Sequence, residues 1–147
     1  MPHEPAVRRA IVRAESKLPG KLTTDGKNNP RWKAIFDIGT FVETEPEAVW
    51  EFVLRWGKNA HVDVRVAVGC CVLEHLLEYH FDLIFPRVRR AALESPRFAH
   101  TFNTCWIFGQ TALPKNLVRF ERLKRQLNNR ERKRAQERKR ATASRAG

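Results

Sequence analysis

The stretch that decides the fold is HVDVRVAVGCCVLEHLLEYHF, residues 61–81. Its four valines between residues 62 and 68 alternate with other residues, a spacing that taken alone is typical of a strand. The run then continues into CCVLEHLLEYH, which contains no Gly or Pro and is rich in Leu and Glu. Because these residues favour helix, we predict a helix for the whole stretch, with a strand over residues 62–68 as the alternative.

The segments on both sides of this stretch also predict helices. Upstream, RWKAIFDIGTFVET and EPEAVWEFVLRWG carry apolar residues at helical spacing. Between them, Thr44 predicts an N-cap, and Glu47 three residues later completes a capping box. Downstream, FDLIFPRVRRAALES and SPRFAHTFNTCWIFG predict one helix each. The Gly- and Pro-containing segment LPGKLTTDGKNNP, residues 18–30, predicts a loop.

The sequence therefore predicts an all-α protein in three parts. Residues 1–29 form an N-terminal helix and loop, residues 30–127 form the helical body, and residues 128–147 form a basic tail or helix. Within the body, placing Asp63–Ala67 over Ser95–Ala99 aligns two similar helix pairs at an offset of 32 residues. Periods in this range are typical of stacked antiparallel helical hairpins that share a core.

This pattern resembles the HEAT-repeat superfamily over roughly residues 30–110. Members of that family begin the second helix of a repeat with an Asp-x-Arg element followed by small and aliphatic residues. Asp63-Val64-Arg65-Val66-Ala67-Val68 matches this element, while the second copy, Ser95-Pro96-Arg97, keeps only the arginine. The resemblance implies a short α-solenoid-like body that presents a surface to partners.

The Trp-containing segment from Trp50 to Arg65 is also similar to the HEAT-type alkylpurine DNA glycosylases. That family surrounds its DNA lesion with a Trp-Trp-Asp cluster and a further catalytic Asp and Arg. The present chain has no adjacent tryptophans and is far shorter, so no catalytic residue is transferred to it. The similarity implies a scaffold that can follow a DNA backbone.

The positive charge of the chain is concentrated at its C-terminus. The net charge is +12, but residues 1–114 contain 15 Lys and Arg against 13 Asp and Glu, while residues 115–147 contain 13 against 3. Such a tract predicts salt-dependent, sequence-independent contact with DNA or RNA phosphates, and the alternative is a solvated tail that binds nothing. The predicted nucleic-acid-binding residues are Arg130, Arg132, Lys133, Arg134, Arg138, Lys139 and Arg140.

One further group of residues is a candidate for chemistry. Cys71, Glu74, His75 and Glu78 fall on one polar stripe of the predicted helix, at spacings that would allow a metal ligand pair or a cysteine nucleophile. A zinc site needs three or four ligands, and Glu, His and Glu are also ordinary residues on the polar edge of a buried helix. We therefore assign no metal site, catalytic residue or cofactor. Among the tryptophans, Trp56 is the one most expected to be partly exposed, because it lies beside Arg55 and Lys58 near a helix end.

These observations favour a non-enzymatic interaction module over an enzyme. The helical body would bind a protein partner, a nucleic-acid backbone or both, and the tail would attract DNA or RNA. The alternatives are a pure protein–protein scaffold with an incidental tail and a degenerate relative of the DNA-repair glycosylases. Three cysteines, two of them adjacent, predict reduced thiols, and no apolar run is long enough for a membrane helix. We expect a cytoplasmic protein, or a nuclear one in a eukaryotic host.

Overall fold

The computed structural model describes residues 4–18 and 29–146. These residues form helices and turns without any strand, which confirms the all-α class. Val62–Val68 is helical, so the alternative of a strand there is wrong. In chain order the elements are α1 (Ala6–Lys17), α2 (Pro30–Gly39), α3 (Pro46–Trp56), α4 (Val62–Val68), a π-helical turn (Gly69–Leu73), α5 (Glu74–Glu94), α6 (Pro96–Asn103), a 3-10 turn (Gly109–Ala112) and α7 (Pro114–Ala146).

The central stretch forms a helix because helical spacing buries a continuous apolar face. Val64, Ala67 and Val68 are buried, whereas Val62 is 55% exposed. A strand would have placed all four valines on the same side. Val64 and Val68 instead join a core that includes the fully buried rings Phe52, Phe81, Phe98, Phe102 and Phe120.

Two helix starts follow the expected chemistry of N-caps, but the predicted capping box does not form. The Asn29 side chain accepts a hydrogen bond from the Arg31 amide at 2.9 Å, and Ser95 accepts one from the Phe98 amide at 3.2 Å. Helix α3, however, is capped at Glu45 without a side-chain bond, so the assignment of Thr44 is wrong. With Glu45 as the cap, Glu47 occupies the second helical position rather than the third that a capping box needs, and its carboxylate pairs with Arg87 of α5 at 2.7 and 3.0 Å.

Helices that are neighbours or next-but-one neighbours in the chain pack against each other. Helix α1 contacts α2 and α3, α2 contacts α4, α3 contacts α5, and α4 contacts α6. The predicted Asp-x-Arg element joins three of these helices: Asp63 pairs with Arg31 of α2 at 3.4 Å, and the Arg65 Nε donates to His100 of α6 at 3.3 Å.

Helix α5 is bent at His80, whose backbone is non-helical (φ −137°, ψ 48°). The side chain of Gln110, from the 3-10 turn, inserts at this point. Its Nε2 donates to the Tyr79 carbonyl at 2.7 Å, and its Oε1 accepts from the Phe81 amide at 2.9 Å. An inserted side chain of this kind is a recognised cause of helix kinks, and the helix predicted to begin at Phe81 is the part of α5 that follows the bend.

The end of α6 and the length of α7 differ from the simple sequence pattern. Helix α6 stops at Asn103, so the helix predicted to reach Gly109 is too long, and residues 104–113 form a turn-rich loop instead. The predicted loop of residues 18–30 lies mostly outside the described residues. Helix α7 continues across residue 127 to Ala146 without a break and is about 50 Å long. None of the helices in the described ranges combines the length and apolarity needed to span a bilayer.

Candidate nucleic-acid interface

Helix α7 is anchored to the body by one stripe of its first half. Phe120, Leu123 and Leu127 are buried, and the Phe120 ring meets Phe102 of α6 edge to face at a centroid distance of 4.9 Å. Beyond Leu127 the side chains are exposed, apart from the half-buried Arg134 and Ala135. About 28 Å of the helix therefore extends past its last core contact.

The side of α7 opposite the anchor is cationic and contains no acidic residue. Between Lys115 and Arg140, at about 100° per residue, ten side chains lie within about 60° of the direction opposite Phe120, and all ten are exposed. We call this surface the outward face. It consists of Lys115, Val118, Arg122, Arg125, Gln126, Asn129, Arg132, Lys133, Gln136 and Arg140.

The three glutamates of α7 lie outside the outward face. By the same spacing, Glu131 lies close to the direction of Phe120, and Glu121 and Glu137 lie at the two flanks. The outward face therefore presents six cations over about 37 Å of helix with no carboxylate among them. A polyanion approaching from this side would meet attraction along the whole length.

The remaining arginines of the predicted binding set turn towards the body. The Arg130 Nη1 donates to the Leu93 carbonyl, near the C-terminus of α5, at 3.0 Å. The Arg138 Nη2 pairs with Glu131 at 3.3 Å, and Arg134 is half-buried. We call Arg130, Arg134 and Arg138 the body-side arginines.

The structure thus divides the seven predicted residues. Arg132, Lys133 and Arg140 lie on the outward face, Arg130, Arg134 and Arg138 lie on the body side, and Lys139 lies on the flank. Sequence reasoning missed Lys115, Arg122 and Arg125, because it counted them with the folded body. A signal was present: the six outward cations form three pairs spaced seven residues apart, which is two helical turns.

The cationic surface extends from α7 onto α5. Arg89, Arg119 and Arg122 line a groove of about 270 Å³ between these helices. The Arg119 guanidinium lies over the Phe85 ring, 5.0 Å from its centroid, and 3.5 Å from Asp82. Arg122 belongs both to this groove and to the outward face, so the two cationic areas are continuous.

The structure does not form a metal or nucleophile centre at the stripe predicted from residues 71–78. Within the described ranges, no three His, Cys, Asp or Glu side chains gather closely enough to hold a metal ion. Glu74 is buried rather than on a polar edge, and His75 bonds to Glu78 at 3.0 Å. Cys71, His75 and Glu78 do line one surface groove of about 320 Å³, but they do not converge on a common point as metal ligands would.

Burial also sets the chemistry of this cluster. It raises the pKa of Glu74, against the smaller opposing effects of His75 and of the Trp106 backbone N–H. Burial, with smaller contributions from Cys70 and Glu74, raises the pKa of the Cys71 thiol to about 11. A cysteine nucleophile needs a lowered pKa instead, so the Cys71 thiol behaves as a small apolar side chain.

Trp56 is partly exposed, as expected, but the most exposed tryptophan is Trp106. Trp56 is half-buried and donates its Nε1–H to Glu15 at 3.2 Å, whereas Trp106 is 70% exposed. It belongs to an apolar loop surface that we define as Trp106, Ile107, Phe108 and Leu113, all at least 40% exposed. The loop is joined to α7 by Lys124, whose Nζ lies 3.4 Å from the Cys105 carbonyl.

Comparison of the chain with protein-family models, with curated proteins and with solved structures gives no match.

Proposed function

We propose that this protein is a non-enzymatic module that binds the phosphate backbone of DNA or RNA through the outward face of α7. The single observation that carries the proposal is the segregation of charge on that helix. Six exposed cations lie on the side opposite the anchor, and all three acidic residues of α7 lie elsewhere.

The geometry supports contact with the backbone rather than with the bases. The only apolar residue of the outward face is Val118, and no aromatic side chain follows Phe120 in the helix. Base stacking on the outward face would require aromatic side chains, whereas Lys and Arg neutralise phosphates and release counterions regardless of sequence. Binding would therefore be independent of sequence and steeply dependent on salt.

In this proposal, helices α1 to α6 form a HEAT-like stack of helical hairpins, and α7 packs on that stack. The pairs α1 and α2, α3 and α4, and α5 and α6 would be its hairpins. The contacts of α3 with α5 and of α4 with α6 support this arrangement, because stacked hairpins contact each other through equivalent helices. Arg65 links one hairpin to the next through His100.

The test compares two triple variants that lose the same charge from opposite sides of one helix. R132Q/K133Q/R140Q removes three outward cations, and R130Q/R134Q/R138Q removes the three body-side arginines. Binding of a fluorescent 20-base-pair DNA with 5′-hydroxyl ends, and of the corresponding RNA, is measured by anisotropy at 0.1 M salt. We expect the outward variant to lose at least about 10-fold in affinity and the body-side variant to change little.

Equal losses in the two variants would reduce the effect to net charge and contradict the proposal. Circular dichroism of both variants checks that α7 stays helical, because Gln is a good helix former. Undiminished binding by the outward variant would also refute the assignment.

Protein binding at the apolar loop surface is a second candidate function. Four large apolar residues are exposed on this one loop, and large exposed apolar patches are typical of interaction sites. Trp106 suits the role of an anchor, since tryptophan is enriched among residues that dominate interface energies.

Trp106→Ala and a control, Phe36→Ala, both remove an exposed aromatic ring, 70% and 63% exposed respectively. We expect only Trp106→Ala to abolish capture of a partner from nuclease-treated host lysate. Equal capture by both variants and the wild type would exclude this surface.

A further inference from the structure

A second cationic feature lies on the other side of α7, in a groove of about 340 Å³ between α7 and α6. Its charged lining consists of Arg65, Arg130, Arg134 and Glu131, and its neutral polar lining includes His100. The lining thus carries three positive charges and one negative charge. A volume of this size is at the lower end of the range for small-ligand sites.

The surroundings hold the polar groups of this groove in place. The Arg65 Nη1 donates to the Asn59 and Ala60 carbonyls at 2.8 and 3.0 Å, and its Nε donates to the His100 Nδ1 at 3.3 Å. The Arg130 Nη1 donates to the Leu93 carbonyl at 3.0 Å. Both side chains are therefore oriented before any ligand binds, which reduces the entropy cost of binding.

Arg134 differs from its two neighbours. It is half-buried on the helix, yet within the part of the chain that the structure describes it forms no ion pair. Two glutamates, Glu131 and Glu137, lie three residues away on either side, but Glu131 pairs with Arg138 and Glu137 forms no ion pair with Arg134 in the same described part. This half-buried arginine therefore has its charge-assisted hydrogen bonds still to make, and a bound anion would supply the acceptor.

His100 completes the donor set. Its Nδ1 accepts the hydrogen bond from Arg65, so the neutral ring carries its proton on Nε2 and can donate there. Burial and, to a smaller degree, Arg65 lower the pKa of this imidazole. His100 is therefore neutral at pH 7 and adds a hydrogen-bond donor without further positive charge.

From this geometry we infer that the groove lined by Arg65, His100, Arg130 and Arg134 binds a phosphate monoester. The planar forks of arginine match phosphate oxygens in pairs, and a terminal phosphate carries close to two negative charges at pH 7. The groove is separate from the outward face, so this inference does not depend on backbone binding there. The phosphate belongs either to a free small molecule or to the 5′ end of a nucleic-acid strand.

The first experiment is calorimetric titration of the full chain with adenosine 5′-monophosphate, with adenosine as the ligand that lacks phosphate. We expect binding of the monophosphate only. Arg134→Gln should weaken it about 10-fold to 100-fold, the loss of one charge-assisted pair of hydrogen bonds. Arg132→Gln removes the same charge from the outward face of the same helix and should leave binding unchanged.

Arg134→Lys keeps the charge but loses the fork, and we expect intermediate affinity. Equal weakening by Arg134→Gln and Arg132→Gln would overturn the inference, as would equal binding of adenosine or no binding heat with millimolar monophosphate. The outward triple variant should still bind the monophosphate, which separates failure of this site from failure of the proposed function.

A second experiment identifies the source of the phosphate. Single strands of one sequence with a 5′-phosphate or a 5′-hydroxyl are compared by anisotropy. Preference for the phosphorylated strand that disappears in Arg134→Gln would assign the groove to strand ends. Equal binding of both strands, together with monophosphate binding, would assign it to a free phosphate monoester.

Discussion

The salt dependence of nucleic-acid binding tests the role of the outward face most directly. Each cation that engages a phosphate of duplex DNA contributes about −0.9 to the slope of log affinity against log salt concentration. The outward face carries six cations, so full engagement corresponds to a slope of about −5. Raising the salt from 50 to 200 mM should then lower the affinity of the wild-type protein about 1,000-fold.

Removing half of these cations should halve the slope. In R132Q/K133Q/R140Q three outward cations remain, which corresponds to a slope of about −2.7 and a loss of only about 40-fold over the same salt range. The assay is anisotropy of a labelled duplex with 5′-hydroxyl ends, titrated at four salt concentrations between 50 and 200 mM. The body-side variant R130Q/R134Q/R138Q should keep the wild-type slope, because Arg130 and Arg138 already have partners on the protein and Arg134 lies in the groove between α7 and α6, off the outward face.

The reasoning would be refuted by a wild-type slope shallower than about −2, since fewer than three phosphates would then be engaged. It would also fail if the two triple variants gave the same slope. In that case the division of α7 into two faces would have no bearing on binding.

Three further predictions concern single side chains. Thr101→Val should destabilise the fold by about 1–3 kcal/mol, because the buried Thr101 hydroxyl donates to the Gly57 carbonyl at 2.6 Å and valine leaves that carbonyl without a donor. Urea denaturation measures the loss of stability. The control, Thr142→Val on the exposed part of α7, should change stability by less than about 0.5 kcal/mol. Similar values for both variants would contradict the buried position of the Thr101 hydrogen bond. Cys71 should react with iodoacetamide at pH 8 about 100-fold more slowly than an ordinary cysteine, since its pKa is raised from 9.0 to about 11. Mass spectrometry of the native and urea-unfolded protein gives the two rates. Equal rates would show that the thiol of the folded protein is accessible and ionised. Because the pKa of His100 is lowered in the folded state, its contribution to stability is full above the unfolded pKa, about 6.5, and declines as the pH falls below that value. His100→Gln should therefore lose less stability than the wild type between pH 7 and pH 5 in urea melts, and an unchanged pH dependence would show that the imidazole is not desolvated.

Much of the helical fold could be predicted from local pattern, and the errors have identifiable physical causes. Helical spacing from Val62 onwards outweighed the alternation of the valines, because only a helix buries Val64, Ala67 and Val68 together. The failures occurred where tertiary contacts replace local ones. Gln110 supplies hydrogen bonds at the bend in α5, and Arg87 holds the Glu47 that sequence assigned to a cap.

The candidate interface could be predicted only in part. Composition identified the C-terminal cations, but their division into two faces required knowledge of which stripe of α7 is buried. Without that reference, the sequence could not separate Arg132, which faces outward, from Arg130, which bonds to Leu93. Equally, nothing local distinguished Trp106 from the other tryptophans, since its 70% exposure follows from the end of α6 at Asn103.

The sequence by itself determined the helical class, the near balance of charge in the first 114 residues and the strongly cationic end, because periodicity and composition are local properties. Only the tertiary structure decided which cations face solvent, that Glu74 is buried, and that Arg65, Arg130 and Arg134 share a groove. Residues that are far apart in sequence meet only when the helices pack. The direction of each side chain on α7 is likewise set by how Phe120, Leu123 and Leu127 insert into the core.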